Sequence, residues 1–214
     1  MTDGMNTNEK IYQLIRERIL NLEYPPGDII EEKKIAQEFN ISRTPVREAL
    51  LRLSNQSMIN MIPRIGTYVT QIDIKEVKNA YQVKKKLEAY AAELTAEYAS
   101  EREINRLLEI AAEMDSYLGS SDYLKYIQSD YEFFKIIRET CRNDLLTEML
   151  EDLNHIIVRF LRYIQYVCEN PKWHSQSLAG IANAIKNRDA ETAYKETEYF
   201  DSVYVKKLFN TYFG

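Results

Sequence analysis

Cysteine and histidine are almost missing from this chain. Cys141 and Cys168 are the only thiols among 214 residues, far apart and in no Cys-x-x-Cys pair. That excludes a disulfide framework and a thiolate zinc finger, and it fits a reducing cytoplasm. His155 and His174 are the only imidazoles. No run of about 18 apolar residues occurs, so no membrane span is expected. Residues 1–10 are polar and carry no apolar signal core, so export is not expected either. There is no glycine-rich phosphate loop, no Gly-x-Ser-x-Gly and no Cys/His pair at a useful spacing, so the chain does not read as an enzyme. Between Ile74 and Pro171 proline is absent and Gly119 is the single glycine.

The chain is 45% hydrophobic and 29% charged, enough to bury a core and keep a polar surface. Its sixteen tyrosines read as core and interface aromatics with wet hydroxyl tips. The net charge of −5 is unevenly spread. Residues 1–72 hold nine Lys/Arg and nine Asp/Glu, whereas Ser42–Leu53 alone has three arginines and one glutamate. A local basic patch on an acidic body can grip phosphate while the body repels non-specific DNA.

In chain order, Ile11, Leu14, Ile15, Ile19 and Leu22 recur at helical spacing and predict a helix over 9–22, stopped by Pro25-Pro26-Gly27. Ile29-Ile30 suits a short strand. A second helix is expected over 31–39. Asn40-Ile41 then makes a tight turn, since Asn tolerates the left-handed conformation. A third helix is expected over 42–55. Ser42 stands at its N-cap, where a side-chain oxygen would satisfy orphan amides, and Pro45 lies in its first turn. Arg43 and Arg47 fall on one face, one turn apart, while Val46, Ala49, Leu50 and Leu53 fall on the other. One side packs and the other presents guanidinium forks, which suits a helix in a DNA major groove. Met58–Ile62 and Thr67–Thr70 predict two strands joined by a tip at Pro63–Gly66. Together these elements make a winged helix-turn-helix over residues 1–72.

From Ile74 helical periodicity is sustained. Helices are expected near 74–99, 102–118, 121–141, 144–168, 173–187 and 190–210, broken at Ser100, Gly119-Ser120-Ser121, Arg142–Asp144, Glu169–Pro171 and Asn187–Asp189. Short connections put successive helices antiparallel, so residues 73–214 form an all-α bundle. The fold class is mainly α.

Residues 11–69 closely resemble the DNA-binding domain of GntR-type bacterial transcription regulators. The resemblance rests on Pro25-Pro26-Gly27, Ile35-Ala36, Ser42-Arg43-Thr44-Pro45-Val46-Arg47-Glu48-Ala49-Leu50 with Leu53, and Gly66-Thr67 with Val69, all in order and spacing. Ser57 departs from it, since the family usually has glycine there. The resemblance implies base or phosphate contacts for Arg43 and Arg47. It implies phosphate contacts for Ser42, Thr44, Lys33 and Arg52, and a wing tip at Arg64 and Gly66. The expected partners are double-stranded DNA and a second copy of the chain, since one small domain reads too few base pairs for a specific site. The rival reading, a ligand-binding or protein-interaction module that has lost sequence-specific DNA binding, is disfavoured by the intact Arg43, Arg47 and Gly66.

Residues 74–210 resemble, more loosely, the all-helical ligand-sensing (FCD-type) domain of the FadR-like branch, through Val83–Glu88, Asp130 with Phe133, Arg142–Leu146, and Ile181 with Ala184-Ile185, Asp189 and Ala193. Many such domains hold a divalent metal through an Asp, a His four residues later, a His on a later helix and a His twenty-two residues beyond. The register here gives Asp130, Phe134, Leu178 and Phe200. One carboxylate without nitrogen partners does not hold Zn²⁺ or Ni²⁺ tightly, so no metal or other cofactor is expected. His174 reads as an ordinary surface or helix-start residue, the alternative being a metal role at the same cavity, since it lies one turn before Leu178, and His155 reads as structural or interfacial. Two outcomes stay open for the cavity lined by Asp130, Phe134, Leu178 and Phe200. Its own side chains fill it, or it takes a small effector: an apolar one, or a carboxylate paired with Lys84, Lys85 or Arg159.

Overall fold

The computed structural model describes residues 6–116, 123–165 and 171–213. The chain divides into two compact units, Met1–Ile74 and Lys75–Gly214.

The first unit is built from α1 (Thr7–Leu20), α2 (Glu32–Glu38), α3 (Arg43–Asn55), β1 (Ile59–Ile62) and β2 (Gly66–Val69). Helix α1 starts earlier than its apolar spacing predicts because the Asn6 side chain caps it, accepting from the Asn8 amide. It buries Ile11, Tyr12, Ile15, Ile19 and Leu20 against Val46, Ala49, Leu50 and Leu53 of α3. Leu50 and Leu53 are fully buried, so truncating either to alanine costs about 2–5 kcal/mol. Gly27 turns the chain with φ +86, and a Cβ there would lie 2.6 Å from Gln71 Nε2. The dihedral favours glycine, while the near atom is the far end of the flexible Gln71 side chain. The expected Ile29-Ile30 strand is a single bridge between Ile29 and Tyr68, supported by Ile30 N donating to Thr67 O at 2.8 Å. Between α2 and α3, Asn40 takes φ +51, as its residue type suggests.

Strands β1 and β2 pair antiparallel, with Ile59 opposite Val69 and Ile62 opposite Gly66. The tip is Pro63–Ile65, with Arg64 at φ +67, and Gly66, at φ +147, opens β2 rather than closing the turn. Ser57 sits at φ +56 and makes the turn that the resemblance assigns to glycine.

The second unit is helical throughout its described residues. It comprises α4 (Ile74–Tyr98), α5 (Glu101–Asp115), α6 (Tyr123–Thr140), α7 (Asp144–Tyr163), α8 (Pro171–Lys186) and α9 (Ala190–Phe213). Its helix starts are chemically marked. Ser100 and Glu103 form a reciprocal capping box on α5, Asn143 caps α7 through Leu146 N, and Asp189 accepts from Thr192 N at the start of α9. Arg188, at φ +58, reaches back to α4 and donates to the Ala96 and Ala99 carbonyls at 3.0 and 2.6 Å. Those are orphan acceptors of a helix C-terminus. The small residues Ala80, Ala89, Ala91, Ala92 and Ala96 are buried along α4, and α5 packs against both α6 and α8. The expected break at Gly119-Ser120-Ser121, the break at Glu169-Asn170 and Cys168 lie outside the described residues. Cys141 is a buried free thiol.

Candidate nucleic-acid interface and helical-unit cavity

On α3 the apolar face is consumed by the core, and Ser42, Arg43, Thr44 and Arg47 are exposed on the other side, with Pro45 half-buried. Ser42 occupies the N-cap, but its hydroxyl makes no capping hydrogen bond, contrary to the sequence expectation. The cause lies three residues on. The amide that an N-cap oxygen most often engages belongs to position N3, and here that residue is Pro45, which has none. The hydroxyl therefore remains available, beside the outward amides of the first turn. Lys33 of α2 is exposed and shares a surface groove with Asn40, Ser42 and Arg43. Arg64 is exposed at the wing tip. Among the described residues, none forms a hydrogen bond or ion pair with the side chains of Lys33, Arg43, Arg47 or Arg64.

Arg52 is placed differently from the expectation of a phosphate contact. Its Nη1 donates to Glu9 Oε2 at 2.6 Å, and its guanidinium carbon lies 3.6 Å from the centroid of the Tyr12 ring. The Tyr12 hydroxyl in turn donates to Gln56 Oε1 at 2.7 Å, and Asn8 Nδ2 donates to Glu48 Oε2. Arg52 thus belongs to a clasp that fastens α1 along α3. Its spacing already sets it off, since it follows Arg47 by five residues and leaves the Arg43–Arg47 face, but its partners lie some forty positions away in sequence.

In the helical unit, Lys84, Asp130, Phe134 and Phe200 line one cavity of about 20 Å³, together with Tyr81, Asn154, Asp201 and Tyr204. Leu178 is fully buried but does not line it, and Arg159 is buried elsewhere. His174 is not a surface residue: it is fully buried, with Nε2 2.9 Å from Asp130 Oδ1 and Nδ1 paired with the Tyr126 hydroxyl. Its ring also meets Phe200 edge-to-face at 4.9 Å. The helix-start position held, while packing against α6 and α9 turned the ring inward.

Charge is buried here in quantity. Lys84 Nζ pairs with Glu88, lies 3.8 Å from Asp201 Oδ1 and stands 5.0 Å over the Phe134 ring. Arg138 joins Glu88 at 2.9 Å and Glu151 at 3.2 Å. Burial pushes the Lys84 ammonium below the ordinary lysine range and the Asp201 carboxyl above the ordinary aspartate range, against the partial relief each gives the other. Sequence reading missed Glu88, Arg138 and Asp201. One signal was present: Lys84 and Glu88 fall one turn apart on the same face of α4 as Val77, Ala80, Tyr81, Ala91 and Thr95, where a solvated pair has no business.

The model for bacterial regulatory proteins of the gntR family matches residues 7–69, and the FCD domain model matches residues 79–199. The chain belongs to the GntR family and carries an FCD domain. Among GntR relatives, the HTH-type transcriptional repressor RspR of Escherichia coli is 24% identical over 185 residues, covering 86% of this chain and 81% of RspR. The HTH-type transcriptional regulator LutR of Bacillus subtilis is 26% identical over 160 residues, covering 67% and 72%. Among solved structures, E. coli McbR/YncC superposes with a TM-score of 0.81 at 20% identity, covering 97% of this chain and 99% of that one, which establishes the shared fold. The GntR relatives are transcription regulators, not enzymes.

The FCD unit of this chain does not fit a tightly held divalent metal. The register positions expected to carry imidazoles are Phe134, Leu178 and Phe200, and His174 with Asp130 supplies only two donors. Among the described residues no group of three or more His, Cys, Asp or Glu side chains is placed to hold a metal ion. No described helix is long and apolar enough to cross a membrane.

Proposed function

We propose that this GntR regulator binds a pseudo-palindromic operator as a homodimer in the cytoplasm, and that the cavity of its FCD unit receives a small effector that alters operator affinity. DNA-binding regulation is the function of the family. The operator form, the dimer and the effector are the reading argued here. The observation that carries it is the pair of unshared guanidinium groups of Arg43 and Arg47 on the exposed face of α3.

In this reading Arg43 and Arg47 contact base edges in the major groove, where an arginine fork matches guanine O6 and N7. Ser42, Thr44 and Lys33 contact phosphate beside the first-turn amides, and Arg64 reaches the backbone or minor groove from the wing tip. Gly66 lets the wing backbone come close. Two copies double the read length and impose inverted symmetry on the site. An effector shifts binding only by favouring one arrangement of the dimer over another. In vitro selection from a randomised duplex pool is the test. Enrichment of inverted half-sites spaced by about one helical turn supports the reading, and a pool that stays random overturns it.

A further inference from the structure

In the cavity of the FCD unit, polar atoms of Asn154 and Asp201 are left unmet by its own side chains. Asn154 and Asp201 both line it and are 6% and 2% exposed. Asn154 Nδ2 and Asp201 Oδ2 have no hydrogen-bond partner among the described residues. One is a donor, the other an acceptor. The apolar lining of the same cavity includes Ile127, Phe134, Ile157 and Phe200. Buried polar atoms are nearly always satisfied in native proteins, so two of them lining one cavity mark the place of an occupant.

The charges narrow its chemistry. Lys84 is the only cation among the described lining residues, and it is already held by Glu88 and Asp201. The other lining charges are the carboxylates of Asp130 and Asp201, the first engaged with His174. A ligand carboxylate arriving here would meet two anions and a lysine with its charge already shared. A ligand ammonium could donate to Asp201 but could not accept from Asn154. A hydroxyl does both, giving its proton to Asp201 Oδ2 and taking one from Asn154 Nδ2. The room, about 20 Å³, holds one oxygen centre as the cavity stands. For a larger molecule to enter with one hydroxyl at that point, lining side chains such as Phe134, Phe200 or Tyr204 would have to move.

We propose that the FCD cavity recognises a small neutral hydroxylated molecule, through Asn154 and Asp201, and not a carboxylate. The proposal rests on the reading of this cavity as the effector site and names the ligand class. It also departs from the carboxylate effector that the sequence allowed, because of Lys84, Lys85 and Arg159 only Lys84 lines the cavity, and it is spent inside the protein.

The test uses the full chain and three panels at 1 mM: neutral polyols of three to six carbons (glycerol, erythritol, ribitol, myo-inositol), monocarboxylates (acetate, butyrate, benzoate) and alkylamines. Thermal unfolding and titration calorimetry are read for wild type, Asn154→Leu and Asn154→Asp. The low concentration keeps general osmolyte stabilisation out of the signal. The expected result is a rise of about 2 °C or more with at least one polyol, saturable heat of binding, and a tenfold or greater loss of affinity in both Asn154 variants. If Asn154→Leu does not fold, Asn154→Asp carries the comparison. Binding of a carboxylate that both variants abolish keeps the cavity as effector site and overturns the ligand class. Polyol binding unchanged in the variants, or no response to any panel, overturns the proposal. Operator selection without ligand is read separately, so failure of the DNA reading is told apart.

Discussion

Arg138 Nη1 donates to Glu88 Oε1 at 2.9 Å with both side chains fully buried. Two ions removed from water in this way make each other necessary without making the pair favourable in itself. Arg138→Met leaves Glu88 with Lys84 alone and should cost about 3–5 kcal/mol in urea unfolding. The Glu88→Leu/Arg138→Met double variant should be less destabilised than the two single losses summed. Strict additivity would show that the two residues are not coupled.

The division of labour among the arginines of α3 gives a second prediction. Arg47→Ala should weaken discrimination at one base step by about 1–3 kcal/mol while barely moving the melting temperature. Arg52→Ala should do the reverse, losing about 0.5–1.5 kcal/mol of stability with its ring and Glu9 contacts and leaving base preference intact. Anisotropy titrations on single-step operator variants, paired with urea melts, read both. An Arg52 variant with altered base preference contradicts the clasp assignment.

Ser57 holds a left-handed backbone that glycine adopts without steric cost. Ser57→Gly should stabilise the first unit by about 0.5–1 kcal/mol, the relief of strain being partly offset by a freer unfolded chain. A destabilised variant would mean that the serine side chain contributes more than its backbone costs.

The Glu103 carboxylate accepts from the Ser100 amide at 2.7 Å and the Ser100 hydroxyl at 2.8 Å, and these bonds hold it below the usual carboxylate range. Its contribution is therefore present above the unfolded-state value and is lost as pH falls through the lower folded-state value. An NMR titration should find the Glu103 midpoint depressed, and Ser100→Ala, which removes the hydroxyl but keeps the amide donor, should raise it only part of the way toward the ordinary range while costing about 0.5–2 kcal/mol. An unmoved midpoint would remove the Ser100 hydroxyl as a cause and leave the backbone amide alone.

Zn²⁺ or Ni²⁺ at micromolar concentration should leave the melting temperature within about 1 °C, because the donor set is incomplete. A rise of several degrees, abolished by His174→Ala, would identify a site built differently from the register read here.

Much of the architecture was legible because its signals are local. Pro25-Pro26-Gly27, Asn40, Ser100, Asn143 and Asp189 each act within a few residues, and the helices begin or end beside them. The buried stripe of α3 follows from spacing alone. What sequence could not reveal is tertiary partnership. Arg52, five residues after Arg47, lies on another face of α3, but that spacing does not name its partners Glu9 and Tyr12. His174 looked solvated because nothing near it in sequence predicts Tyr126 and Asp130. The unused Ser42 hydroxyl was readable in principle, since the residue at N3 is a proline.

The clasp between α1 and α3 has a practical edge. Asn8, Glu9 and Tyr12 touch Glu48, Arg52 and Gln56, so α3 is braced by the earliest described residues. An affinity handle fused upstream of residue 6, or a protease that trims to residue 12, acts on that brace directly. Operator affinities measured on such material would come out weak while the FCD unit melts normally. Purification through the other terminus keeps the brace out of the measurement.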